Sequence, residues 1–121
     1  MNNQLISKNV FYINMIGGVS GDMLIGGLLD LGVEISELNE ALLLLPIKGL
    51  KLRKQEVIRG PIKAILAEPI IDQKLADMHF SWSDFFDLIN NSELNTYTKE
   101  RCRRVFQRLV ESEEKIHGEV N

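Results

Sequence analysis

The stretch Val10-Phe-Tyr-Ile-Asn-Met-Ile-Gly-Gly-Val-Ser-Gly-Asp-Met-Leu-Ile-Gly-Gly-Leu-Leu-Asp-Leu-Gly32 organises the chain. An apolar run, Val10 to Ile16, stops at a glycine pair. It is short and β-rich, which favours a buried strand over a helix. Gly17-Gly-Val-Ser-Gly-Asp22 reads as a tight loop. Met23, Leu24, Leu28 and Leu31 then recur at helical spacing until Gly32, which suits the left-handed residue after a helix. The expectation is strand, glycine loop, helix, with Ser20 or Asp22 capping the helix. Such a loop aims backbone N–H groups at one point, at the positive end of a helix dipole. It is neither a Gly-x-x-x-x-Gly-Lys-Ser/Thr loop nor a Gly-x-Gly-x-x-Gly loop. Two readings stand together: a strand-to-helix turn, and a phosphate or cofactor site formed by Gly17, Gly18, Ser20, Gly21 and Asp22.

The 121 residues allow one domain and a modest core. Residues 1–9 are polar and read as a frayed start, and 10–121 as a single α+β domain. The net charge of −3 argues against nucleic-acid binding, which wants a basic face. No apolar stretch reaches membrane-spanning length, and the first residues lack a signal peptide's basic start. The single cysteine, Cys102, excludes an internal disulfide and suits a reducing, cytoplasmic setting.

After Gly32, Ser36 is a candidate N-cap. Leu38, Ala41, Leu42 and Leu45 define an amphipathic helix that Pro46 stops. Each glycine of the Gly26-Gly27 pair costs a helix about 1 kcal/mol against alanine, which points to close packing there. Residues 50–71 alternate in the β period around Arg59-Gly60-Pro61, so two antiparallel strands are expected. Pro69 belongs at an edge or outside the sheet. Lys51, Arg53, Lys54, Arg59 and Lys63 make the hairpin basic, which reads as a solvated face or an anion-facing patch. Residues 72–80 read as a loop. Ser81-Trp-Ser-Asp84 reads as a capping box for a helix that runs to about Asn90.

A last helix is expected over about 95–117, with Cys102, Val105, Phe106, Leu109, Val110 and Ile116 as its buried stripe. The order is strand, helix, helix, strand, strand, helix, helix. That is an α+β fold with a small sheet, one strand plus a hairpin, packed by about four helices. Leu24, Leu28, Leu42, Ile62, Phe86, Val105, Phe106 and Leu109 are expected to share one core.

The two histidines, His79 and His117, lack a second ligand at a metal-binding spacing. Asp77 lies two residues from His79 and allows a weak pair. Ser20 is outside a Gly-x-Ser-x-Gly elbow, so a hydrolase triad is not indicated. Cys102 lies on an apolar stripe and reads as filler. Asp22 is the most pointed carboxylate: it can cap the helix, or hold a cation that meets a phosphate.

Residues 17–32 resemble the opening motif of the nickel insertion proteins. Three later stretches agree in order and rough spacing. Val57-Ile-Arg-Gly-Pro-Ile-Lys-Ala64 resembles the family's Arg-Gly-x-x-x-Ala hairpin. His79-Phe-Ser-Trp-Ser-Asp-Phe85 resembles its His-Arg-x-aromatic-x-Asp-Ile stretch. Residues 104–118 resemble its long helix, which ends in His-Gly. The resemblance covers residues 10–118.

It implies a nickel-inserting lyase of nickel-pincer cofactor biosynthesis. Nickel is then a substrate ion, inserted with CTP and magnesium into a pyridinium bis-thiocarboxylate mononucleotide. It further implies glycine-loop contact with that mononucleotide, and His79 and His117 on the nickel path. Family members continue into a second domain that carries the CTP site. The chain is therefore expected to be inactive alone, either as a split gene product, whose partner is a separate chain bearing that domain, or as a decayed remnant. A homo-oligomer is compatible with the same picture. In the family pattern Asn14 replaces an aspartate and Phe80 replaces an arginine. Both losses fit the alternative, a non-catalytic partner or anion-binding module.

Overall fold

The computed structural model describes residues 9–118. Its elements are α1 (Gly21–Asp30), α2 (Ile35–Leu42), β1 (Leu50–Arg59), β2 (Ile62–Ile71), α3 (Gln73–Ala76), α4 (Trp82–Asn90) and α5 (Thr96–His117). The α+β class is as expected, and the order from α1 onward follows the expected one, with α3 added.

β1 and β2 form an antiparallel hairpin, with Leu50 opposite Ile71 and Arg59 opposite Ile62. Gly60, at φ 58°, makes the turn with Pro61. Pro69 lies opposite Leu52. Leu52 turns its N–H and C=O away from β2, to the Asn39 side chain of α2, at 2.8 and 3.0 Å. Pro69 therefore sits where the ladder needs no donor, as an edge position requires. Cross-strand pairs Arg53–Glu68 and Lys63–Glu56 neutralise part of the basic face. The solvated-face reading fits these exposed pairs.

α1 packs on β2, and α2 packs on β1. A Cβ at Gly26 would fall 2.7 Å from the backbone oxygen of Ile65. Only glycine lets the helix come that close, so the glycine pair does signal close packing, at its first member. Gly27 faces open space.

α4 packs against α5. Asn95 caps α5 by accepting from Thr98 N–H at 2.8 Å. Phe106 stands among Phe85, Phe86 and Trp82, with ring centroids 5.4, 6.2 and 6.5 Å away. The Trp82 indole donates to Glu113 at 3.0 Å and ties the same pair of helices. Glu93 N–H donates to the Leu44 carbonyl at 2.8 Å, which anchors the helical pair to the end of α2.

Four expectations change. Residues 10–16 form no strand: they run irregular and exposed, because the hairpin is the one sheet among the described residues and neither of its edges receives them. A strand needs a partner for its N–H and C=O groups, whatever its side chains favour. The N-cap of α2 is Glu34 rather than Ser36, so the helix starts one residue ahead of that serine. The loop at 72–80 contains α3, capped by Asp72, whose carboxylate accepts from Leu75 N–H at 2.8 Å.

The core also differs. Leu29, Leu52, Ala67, Leu75 and Ile89 are buried. Leu24, Leu28, Ile62, Val105 and Leu109 are exposed, and Leu42, Phe86 and Phe106 are half-buried. On α5 the stripe is uncovered over Val105, Leu109 and Ile116, and Cys102 is half-buried. Periodicity groups residues on a face; it does not supply the layer that covers it.

Candidate functional site

The glycine loop keeps its expected shape without the strand before it. Gly17 and Gly18 hold φ of 79° and 99°, a region that side-chain-bearing residues avoid. A Cβ at Gly17, Gly18 or Gly21 would meet nothing within 4 Å. The first two glycines are there for backbone conformation, and the space beside the loop is open. Ser20 is the N-cap of α1, with extended backbone at φ −98° and ψ 169°. Its carbonyl accepts from Leu24 N–H at 3.1 Å.

Asp22 stands in the first turn of α1. The Ser20 hydroxyl donates to its carboxylate. That bond, helped by the backbone N–H groups of Asp22 and Met23, holds the Asp22 carboxyl below the usual carboxylate range. The chain thus places its own anion at the start of α1, where an incoming phosphate would seek N–H donors. One carboxylate and one hydroxyl in an open loop also suit Mg²⁺, which takes few protein ligands and completes its shell with water and substrate phosphates.

A second feature lies elsewhere. A cavity of about 470 Å³ opens between the α2–β1 connection, α3 and the start of α4. Ile47, Leu75, Met78, Phe80 and Leu88 make it apolar, and Lys48, Lys74 and His79 bring nitrogen groups to it. Its two carboxylates are engaged as helix caps. Asp72 holds α3, and Asp84 accepts from the Ser81 N–H and hydroxyl at 2.7 and 2.8 Å. The backbone N–H of Ser81, then its hydroxyl, hold the Asp84 carboxyl below the usual range. Ser81 also accepts from Asp84 N–H at 3.2 Å, which completes the expected capping box.

The structure places the candidate site residues in three locations. Gly17, Gly18 and Ser20 lie in the loop that leads into α1, and Gly21 and Asp22 follow in its first turn. His79 lines the cavity, and none of the loop residues does. His117 is the exposed last residue of α5. Asp77 accepts from the Gln73 side chain at 2.7 Å, within α3's own turn. Among the described residues, no three His, Cys, Asp or Glu side chains gather into a metal-holding group. Among the described residues, no helix is long and apolar enough to cross a membrane.

Lys48, Lys74 and Phe80 escaped sequence reasoning as one set, because the fold joins three segments to make their cavity. Asn39 was missed too. A polar residue within an amphipathic helix gives no local sign that it clamps a strand.

The sequence model of the nickel insertion protein family matches residues 11–121. The chain belongs to that family. The pyridinium-3,5-bisthiocarboxylic acid mononucleotide nickel insertion protein of Staphylococcus saprophyticus is 34% identical over 110 residues, 91% of this chain and 28% of that protein. The protein of the same name from Geobacillus kaustophilus is 32% identical over 117 residues, 90% of this chain and 28% of its own. The chain thus spans less than a third of the length of these curated relatives. No solved structure matches it.

Proposed function

We propose that this chain is the N-terminal domain of a nickel insertion protein and acts in cofactor biosynthesis, in the insertion of Ni²⁺ into a pyridinium bis-thiocarboxylate mononucleotide. The observation that carries the reading is the family match over residues 11–121. The names of the Staphylococcus and Geobacillus relatives supply the substrate. In this reading the reaction is a CTP-dependent, lyase-type step in the cytoplasm. The CTP site belongs to polypeptide outside this chain, which alone is inactive.

The loop Gly17–Asp22 then receives the mononucleotide phosphate, with Mg²⁺ between phosphate and Asp22. Its open flank and left-handed glycines support that role. His79 offers an imidazole in a cavity of ligand size, as a transient nickel contact. His117 is the second nickel contact in the reading.

A chimera tests the function. This chain replaces the segment it matches in the Geobacillus kaustophilus relative, and nickel insertion is assayed with CTP and Mg²⁺. Activity in the chimera and none in the isolated chain is the expected result. His79→Ala should lower the chimera's rate more than tenfold. An inactive chimera that folds would overturn the reading in favour of a non-catalytic partner or anion-binding module. One observation favours that rival: Phe80, in the place of the family's arginine, stacks on Phe85 at 5.6 Å and brings no charge to a phosphate. Amide titration of Gly17 to Met23 with phosphate, with and without Mg²⁺, then separates an anion-binding loop from a plain turn.

A further inference from the structure

Besides the open stripe of α5, two neighbouring apolar surfaces have no partner within the described residues. The first is the run Val10–Ile16. Val10 is 85% exposed and Ile16 86%, and Phe11, Tyr12, Ile13 and Met15 are exposed with them. The run is apolar at nearly every position rather than at alternate ones, the pattern of a strand covered on both faces. The second is on α1. Gly26 and Leu29 face the hairpin and are buried. Leu24, Leu28 and Leu31 form a stripe on the opposite side and are exposed. A helix that is apolar all round belongs inside a protein, between two layers. Here one layer is present.

The whole surface says the same. The chain exposes 10321 Å². A self-contained protein of this size exposes about 6600 Å². The eleven end residues outside the description, even fully extended, would add only about 1800 Å². The remaining excess, about 1900 Å² on this chain alone, is of the order that permanent interfaces bury.

We propose that Val10–Ile16 and the Leu24–Leu28–Leu31 stripe are the seat of an interface with the polypeptide that the nickel insertion proteins carry beyond the region matched here. That polypeptide supplies a strand beside Val10–Ile16 and a layer over the stripe. The proposal rests on the domain reading given above. The matched relatives hold more than two thirds of their length outside this segment, ample material for such a layer. A second copy of the chain is a poorer occupant. A two-fold pairing of the run with itself would satisfy one edge and leave both faces of the run open.

Amide hydrogen exchange tests it in the isolated chain and in the Geobacillus chimera. The isolated chain should sediment as a monomer, and its amides at residues 10–16 should exchange near the unfolded rate. In the chimera they should slow at least 100-fold. Ile13→Asp should leave the isolated chain's melting temperature unchanged, and in the chimera it should return residues 10–16 to fast exchange. If a chimera does not fold, the stretch of the intact Geobacillus relative that aligns with Val10–Ile16 is measured instead, with the same protection expected.

Fast exchange in the folded chimera or in the intact relative overturns the proposal. So does an isolated chain that dimerises and protects residues 10–16 by itself. A protected chimera without nickel insertion keeps the interface and removes the functional reading. An active chimera with unprotected residues 10–16 does the reverse.

Discussion

The α1–hairpin contact and the segment just before it are neighbours in the chain and opposites in structure. Across the contact, Gly26 meets the Ile65 carbonyl, Leu29 is 1% exposed and Ala67 2%. Residues 10–16 carry more apolar side chains per length than β2, yet all are exposed. Composition is therefore not what separates them. The hairpin strands find each other across a two-residue turn and satisfy one another's backbone groups at once. The run at 10–16 has no such local partner. Its strand character depends on something not adjacent in sequence.

Substitutions break the contact in a ranked way. Gly26→Val should have the largest effect. Its branched side chain would drive into backbone that cannot rotate aside, so α1 must lift from β2, at a cost of about 3 kcal/mol, the upper end for overpacking. Urea unfolding measures it. An unchanged midpoint would mean that α1 already rides loosely on the sheet.

Asn39→Ala comes next. It removes both bonds to the Leu52 backbone and leaves a part-buried N–H and C=O without partners, worth about 2 kcal/mol. Asn39→Asp should recover part of the loss, since it still accepts from Leu52 N–H. Equal losses in the two variants would show that packing of α2, not the clamp, is what matters.

Gly27→Ala should move the other way. Its Cβ points into open space, and alanine favours the helix by about 1 kcal/mol. Two adjacent glycines of one helix would then differ in sign. Destabilisation by Gly27→Ala would mean that the open side of α1 is covered in solution.

The hairpin, the α4 capping box and the glycine at the α1 contact were legible because each is written within a few residues. Gly60-Pro61 dictates a turn, and Ser81 with Asp84 dictates a helix start. The run at 10–16 was legible only as a preference, since pairing is a property of two segments. On α5, Val105 and Leu109 share a face with Phe106, yet Phe106 packs among the aromatic rings of α4 while the other two stay exposed. The site divides the same way. Conformation at Gly17 and Gly18 follows from their type. The cavity around His79 draws Lys48 from the α2–β1 connection, Lys74 from α3 and Phe80 from the α3–α4 connection. Asp22's turn toward Ser20 needed coordinates, because the same aspartate served two readings of the sequence.

Substitution in the unpaired run sharpens the contrast from its other side. Ile16→Asp should change the isolated chain's stability by less than about 0.5 kcal/mol, as for a surface site without partners. The side chain is already in water, so its apolar surface loses little on replacement. A larger loss, read in the same urea experiment, would place Ile16 in a contact with the rest of the domain.

The smallest effect belongs to Asp22, which is exposed and held by one hydroxyl and local amides. Its folded carboxyl titrates below the ordinary value, 3.8, chiefly because the Ser20 hydroxyl donates to the charged form. A folded-state pKa below the unfolded one means that protons bind the unfolded chain more tightly. Any stability from this group is therefore complete above the unfolded pKa and is lost as pH falls through the folded one. Water screens the group, so the melting temperature should respond only weakly. The titration itself should be clear by carboxyl NMR, and Ser20→Ala should move it upward toward 3.8. If Ser20→Ala leaves the titration unchanged, the backbone N–H groups alone hold the carboxylate. Asp22 is then a helix cap indifferent to its neighbour, and free of any role in placing Mg²⁺ at the loop.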